Sequence, residues 1–256
     1  MDNQYLKNIK TGMKVVVFTS RKKYSTGIVN EIAARTPFNE EGIMVRLKNG
    51  DVGRVKKIIL NELEENEQNA AEIKKLIKQG ESYHTEFKAS AFWSITYNPE
   101  KIKESKSFEL REYGQRTSKI IIAKSLAAFL NSDGGNLIIG VNENKESDRF
   151  EIVGIEEDMK KIGGGGTDQY KRVLIDEILR VFFPSKLYNH LQDYLSISFA
   201  TIEGKTVCWI KIAPSDFKIF LKINNKDVFM IRVESENRTL DGEKLVDYCL
   251  RRWKGR

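Results

Sequence analysis

Residues Ala127-Ala128-Phe129-Leu130-Asn131-Ser132-Asp133-Gly134-Gly135-Asn136-Leu137-Ile138-Ile139-Gly140-Val141 decide the fold of most of this chain. Their hydrophobic period changes in the middle. Upstream, Ile122, Leu126, Phe129 and Leu130 lie at i, i+4, i+7 and i+8, one apolar stripe of a helix, with Ser118 as its expected N-cap. Residues 131–135 then bring turn formers and paired glycines that stop the helix. The apolar run after Asn136 is too short for a helix and reads as a buried strand.

Outward from this point the same logic assigns the neighbours. Residues 150–155 read as the hairpin partner of the buried strand, and 168–183 as a second helix that stops at Pro184. Residues 195–201, 206–213 and 228–233 read as three more strands, and Thr239 or Asp241 caps a final helix through Trp253. Before the decisive stretch, 85–89 is a short strand and 90–116 a charged, irregular insertion or loop. Strand, helix, hairpin, helix, strands, helix is the order of an α+β sandwich.

The first 60 residues follow a different pattern. A β-branched run ends at Phe18, Thr26-Gly27 opens Ile28-Val29, and Gly42 opens Ile43-Met44-Val45-Arg46-Leu47. Asn49-Gly50 is a hairpin turn before Val52-Gly53-Arg54-Val55. Four or five short strands in so little chain make a small all-β barrel, SH3-like or OB-like. Odd positions of 43–47 are apolar, so Arg46 faces outward, and the hairpin brings it near Lys48 and Arg54. Residues 61–80 form a connector: acids lead, Ile73, Leu76 and Ile77 line one helical face, lysines trail, and Gly80 closes it. The expected domains are therefore a barrel at 1–60, a linker helix at 61–80 and an α+β domain at 81–256.

Charge sharpens that division. The chain has 256 residues and a net charge of +7, and its first 60 residues alone hold 12 Lys and Arg against 5 Asp and Glu. Two Cys and two His exclude a disulfide scaffold, a thiolate zinc site and a His-rich metal cage. No apolar run approaches the roughly 20 residues that span a bilayer, and the polar start has no signal-peptide core. These features lead to the expectation of a cytoplasmic protein with no membrane partner, in which any chemistry falls to carboxylates, amines and hydroxyls.

Two resemblances follow from these residues. Gly12-Met13-Lys14-Val15, Thr26-Gly27-Ile28-Val29 and the stretch Gly42 to Val55, with its GIxVRLxxGxVGRV pattern, resemble the small bacterial YwbE family of KOW-like barrels. That resemblance implies a basic barrel that binds RNA or another nucleic acid. Gly80-Glu81-Ser82, Glu86-Phe87-Lys88, the opening stretch and Ile231 to Arg238 resemble the Schlafen AlbA-type domain of the bacterial Schlafen-like group. The family's usual middle piece is AFANTxGGxLxxGV. The tail departs from it in carrying Glu234 where glycine is common.

The Schlafen resemblance implies nucleic-acid binding and, in some vertebrate members, metal-dependent cleavage of tRNA or rRNA by three acids. Its acidic pair falls on Glu81 and Glu86, and the third position on Asn142, with Glu143 beside it. With Mg²⁺ or Mn²⁺, the candidate metal ligands are Glu81, Glu86, Glu143 and Asn142, and the candidate catalytic residues are Glu81, Glu86 and Lys88. A spacing of five does not place Glu81 and Glu86 on one face of a strand or helix, and Glu86 with Lys88 also reads as a surface ion pair. Lys14, Arg46, Lys48, Arg54, Arg232 and Arg238 are the candidate phosphate contacts. Gly163 to Gly166 lacks the GK[ST] of a phosphate loop, so no ATP site is evident. Vertebrate Schlafen cores carry two lobes in tandem, and a single lobe here implies a homodimer. The expected function is nucleic-acid binding, RNA favoured over DNA, with or without endoribonuclease activity. A non-catalytic transcriptional regulator and a protein-interaction adaptor remain open.

Overall fold

In the computed structural model, which describes residues 2–59, 62–144 and 149–254, the chain divides into two units between Glu65 and Asn66. The first is a closed barrel of four antiparallel strands: β1 (Lys14–Thr19), β2 (Tyr24–Ile32), β3 (Met44–Leu47) and β4 (Val52–Ile59). Its core is aliphatic, with Ile9, Val15, Val17, Val29, Ile43, Val45, Leu47 and Val55 all buried. Period-2 alternation places Val15 and Val17 inside and Lys14 and Phe18 outside on β1. The barrel closes where β4 meets β1, and there Gly53 is required: a Cβ would stand 2.5 Å from the Phe18 carbonyl oxygen.

The second unit is built on a mixed sheet of order β5-β6-β10-β9, from β5 (Thr85–Lys88), β6 (Gly135–Ile139), β9 (Leu195–Ile202) and β10 (Lys205–Ile212). β5 and β6 are parallel, and the other neighbours are antiparallel. The helix Glu62–Gln79 packs Ala70, Ile73, Leu76 and Ile77 against Phe87, Ile138 and Trp209 of this sheet. It is therefore part of the second unit's core, and Gly80 (φ 80°) ends it by donating to the Leu76 carbonyl. The opposite face meets the central helix Thr117–Asn131, which is buried almost all round. A three-stranded sheet, β11 (Phe220–Ile223), β12 (Lys226–Val233) and β13 (Glu236–Leu240), covers that helix, and the C-terminal helix Gly242–Arg252 packs on it through Phe229 and Trp253.

Several local expectations change. Gly140 (φ 102°) separates β6 from β7 (Val141–Asn144), and it is β7, not β6, that pairs with β8 (Arg149–Ile152). The 90–116 segment is ordered: Ala91 and Phe92 are buried, and Asn98 and Ser107 cap the short helices Pro99–Glu104 and Phe108–Tyr113. Ser118 does not cap the central helix; Ser94, from that segment, accepts its backbone N–H at 3.0 Å. The helix expected over 168–183 starts at Gly166 and passes through one π-helical turn, Ile175–Leu179. Among the described residues no helix is long and apolar enough to cross a membrane.

Candidate functional site

The strand–helix–strand stretches singled out from the sequence converge on one carboxylate. β5 points alternate side chains to opposite faces, so Phe87 enters the core under the helix Glu62–Gln79 while Glu86 faces the central helix. Glu86 is buried, and both its oxygens are occupied. Oε1 accepts from Lys88 Nζ at 2.6 Å, Ser125 Oγ at 3.0 Å and Asn237 Nδ2 at 3.1 Å. Oε2 accepts from Asn237 Nδ2 at 3.0 Å and from an Arg232 guanidinium nitrogen.

Arg232 is the counterpart. Its side chain is 0% exposed and donates further to the carbonyls of Ser82 at 2.8 Å and Thr85 at 3.2 Å and to Asn237 Oδ1 at 2.9 Å. Its guanidinium lies 4.9 Å from the Phe129 ring centroid, and its backbone N–H donates to Ser132 Oγ. Burial would push the Glu86 carboxyl up; the charges of Lys88 and Arg232, with hydrogen bonds from Lys88 and Ser125, outweigh it and hold the group below its ordinary value. The result is a closed ionic clasp joining β5, the central helix and β12–β13.

The clasp does not fit a divalent cation. Mg²⁺ or Mn²⁺ needs several free oxygen ligands, whereas each Glu86 oxygen already accepts from one cation, Lys88 or Arg232, and from Asn237. Glu81 is engaged separately, its Oε1 accepting the Phe87 N–H at 2.9 Å. Asn142 and Glu143 are exposed on the β7–β8 ribbon. Among the described residues no group of three or more His, Cys, Asp or Glu is gathered to hold a metal ion. The expected acidic constellation is thus not assembled, because the nearest charges to Glu86 are basic.

The candidate phosphate contacts also separate. Arg232 cannot reach a phosphate: it is enclosed and committed to Glu86. Arg238 is exposed and paired with Glu236 at 3.0 Å. In the barrel, Lys14 and Lys48 are exposed, Arg46 pairs with Glu31 at 3.5 Å, and Arg54 pairs with Glu41 at 3.0 Å. Cross-strand register sets Arg54 opposite Met44 and Arg46 opposite Val52, so the two arginines share one outer face. The four glycines 163–166 all take left-handed backbone (φ 68–92°) and form the reversal between two helices, with the Gly164 N–H donating to the Met159 carbonyl.

Sequence reasoning missed Ser125 and Asn237. Asn237 lies inside the Ile231–Arg238 stretch, which carried part of the resemblance, and that proximity was its available signal. Ser125 had none, since a serine on a helix flank is ordinarily solvent-facing.

A family model described as Schlafen, AlbA_2 matches residues 81–241, and one described as an uncharacterized conserved protein (DUF2196) matches residues 2–58. No curated protein matches the chain. A crystal structure from Corynebacterium diphtheriae is similar at 17% identity and TM-score 0.41, covering 72% of this chain and 32% of that one. The chain therefore spans about a third of that protein's length. The N-terminal domain of a RecG-related protein from Nitrosomonas europaea, solved by NMR, is similar at 16% identity and TM-score 0.27, covering 60% of this chain and 95% of that one.

Proposed function

This chain belongs to the Schlafen AlbA_2 family, and from that premise we propose that it binds nucleic acid, RNA in preference to DNA, without metal-dependent cleavage through Glu81 and Glu86. The observation that carries the reading is the barrel's charge. Of its twelve Lys and Arg, only Arg46 and Arg54 have carboxylate partners within the described barrel, and every one except the half-buried Arg54 is exposed. Uncompensated exposed cations on a small fold attract a polyanion, releasing counterions as they neutralise phosphates. The clasp supports the non-catalytic side of the proposal: a carboxylate saturated by Lys88, Arg232, Ser125 and Asn237 holds strands together and has no oxygen to offer a metal or a water. A homodimer that extends the binding surface belongs to the same reading, and light scattering checks it.

The test is a binding and cleavage assay with tRNA, single-stranded DNA and duplex DNA, with and without Mn²⁺. Binding should weaken steeply with salt, tRNA should bind more tightly than DNA, and every substrate should stay intact. Absence of binding at low salt overturns the proposal. Manganese-dependent cutting that disappears in Glu86→Gln would restore the nuclease.

A further inference from the structure

One outer face of the barrel carries a row of side chains the charge pattern alone does not explain. Register sets Tyr24 of β2 beside Phe18 of β1, Phe18 beside Arg54 of β4, and Arg54 beside Met44 of β3. The row therefore crosses all four strands. Tyr24 is 69% exposed and Phe18 36%, their ring centroids 5.1 Å apart. Next to Phe18 lies an open cleft of about 370 Å³, lined by Phe18, Lys22, Glu41, Met44 and Arg54 among others.

The β1–β2 turn beside the rings is Ser20-Arg21-Lys22-Lys23. Arg21, Lys22 and Lys23 are exposed, and none has an ion-pair partner among the described residues of the barrel. Glu41 is the acid in the cleft, and it is spent on Arg54 at 3.0 Å. Backbone hydrogen bonds from Thr19 N to the Lys23 carbonyl and from Lys22 N to the Thr19 carbonyl already close the hairpin, so the exposed rings are not needed to hold it. The other exposed pair of the barrel, Tyr5 and Phe38, differs: it sits on an isolated β-bridge that ties down the N-terminal segment.

We propose that Tyr24 and Phe18 form a stacking platform for unpaired bases of single-stranded nucleic acid, with Arg21, Lys22 and Lys23 holding the backbone phosphates. Exposed aromatic faces beside a run of free cations match what an unstructured strand offers, a π-face on each base and a charge at each linkage. A duplex keeps its base faces stacked on one another, so this platform discriminates against it. The inference rests on the nucleic-acid reading above and names the ligand class of its basic barrel.

The test uses the whole protein and fluorescence anisotropy of labelled oligouridine, oligothymidine and a labelled duplex. Tyr24→Ala should weaken binding to both single strands about tenfold and leave duplex affinity unchanged, while Tyr24→Trp retains single-strand affinity. Replacing Arg21, Lys22 and Lys23 together by Gln should reduce the slope of log affinity against log salt by about 2 for single strands. Unchanged melting of Tyr24→Ala excludes misfolding as the cause. Wild-type affinity in Tyr24→Ala, or an equal loss on duplex, overturns the platform while leaving nucleic-acid binding intact. If the wild type binds no nucleic acid, both readings fall.

Discussion

Arg232 carries a full charge with no access to water, and its neighbourhood explains why the fold tolerates it. The Glu86 carboxylate, two backbone carbonyls, the Asn237 amide and the Phe129 ring surround it. Breaking a buried pair by removing one partner is far costlier than never building it, because the survivor stays charged and desolvated. Glu86→Ala is therefore expected to destabilise the second unit by about 3–5 kcal/mol, read by chemical denaturation. The pH dependence has a definite sign. A carboxyl held below its unfolded value of about 4.3 contributes stability above that pH and loses it as pH falls through the folded value. The gap between wild type and Glu86→Gln should thus be widest near neutrality and shrink in acid. A gap that is constant with pH would show that Glu86 is not held ionised by its partners.

At the scale of elements, a second buried acid organises the segment after β5. Asp158, in the short helix Glu156–Lys161, accepts the Ala91 N–H at 2.8 Å, the Tyr170 hydroxyl at 3.1 Å and the Ser90 hydroxyl. These bonds fix the point where the chain leaves β5, and Phe92 then packs edge-on against Tyr170. The segment is ordered because its first residues are anchored in this way, although most of its charged residues face water. Asp158→Ala leaves buried donors without an acceptor and should cost about 3 kcal/mol. Hydrogen exchange at the Ala91 amide should speed up with it, whereas unchanged protection there would remove Asp158 from this role. The central helix depends on the same segment, since its start is capped by Ser94 rather than by a residue of its own.

At the scale of the whole molecule, the two units own separate cores. That of the barrel is eight aliphatic side chains, whereas the main core of the second unit is larger and includes Phe92, Phe129, Tyr170, Phe182 and Phe183. A small barrel buries a smaller share of its surface and is the less stable partner on that ground. Calorimetry should resolve two transitions, and Leu47→Ala should lower the barrel's by about 3 kcal/mol while leaving the other in place. One transition that shifts as a whole would mean the units unfold together.

What the sequence determined by itself was whatever depends on neighbours along the chain. Period and turn chemistry located the four strands of the barrel, the central helix and β6, because 127–141 spell a helix, a stop and a strand in local terms. Charge sorting by segment separated the basic barrel from a nearly neutral partner. Gly140 marks where that reading stopped: a single left-handed residue hands the hairpin from β6 to β7, and the apolar run gives no sign of it. Only tertiary structure decided the roles of the charged residues. Glu86 and Arg232 are 146 positions apart, and nothing local tells an arginine that meets a phosphate from one enclosed against a carboxylate. Phe18 and Tyr24 likewise became a platform only through cross-strand register. The physical reason is the same in each case: backbone preferences act over a few residues, whereas desolvation and pairing of side chains are set by whatever the folded chain brings alongside.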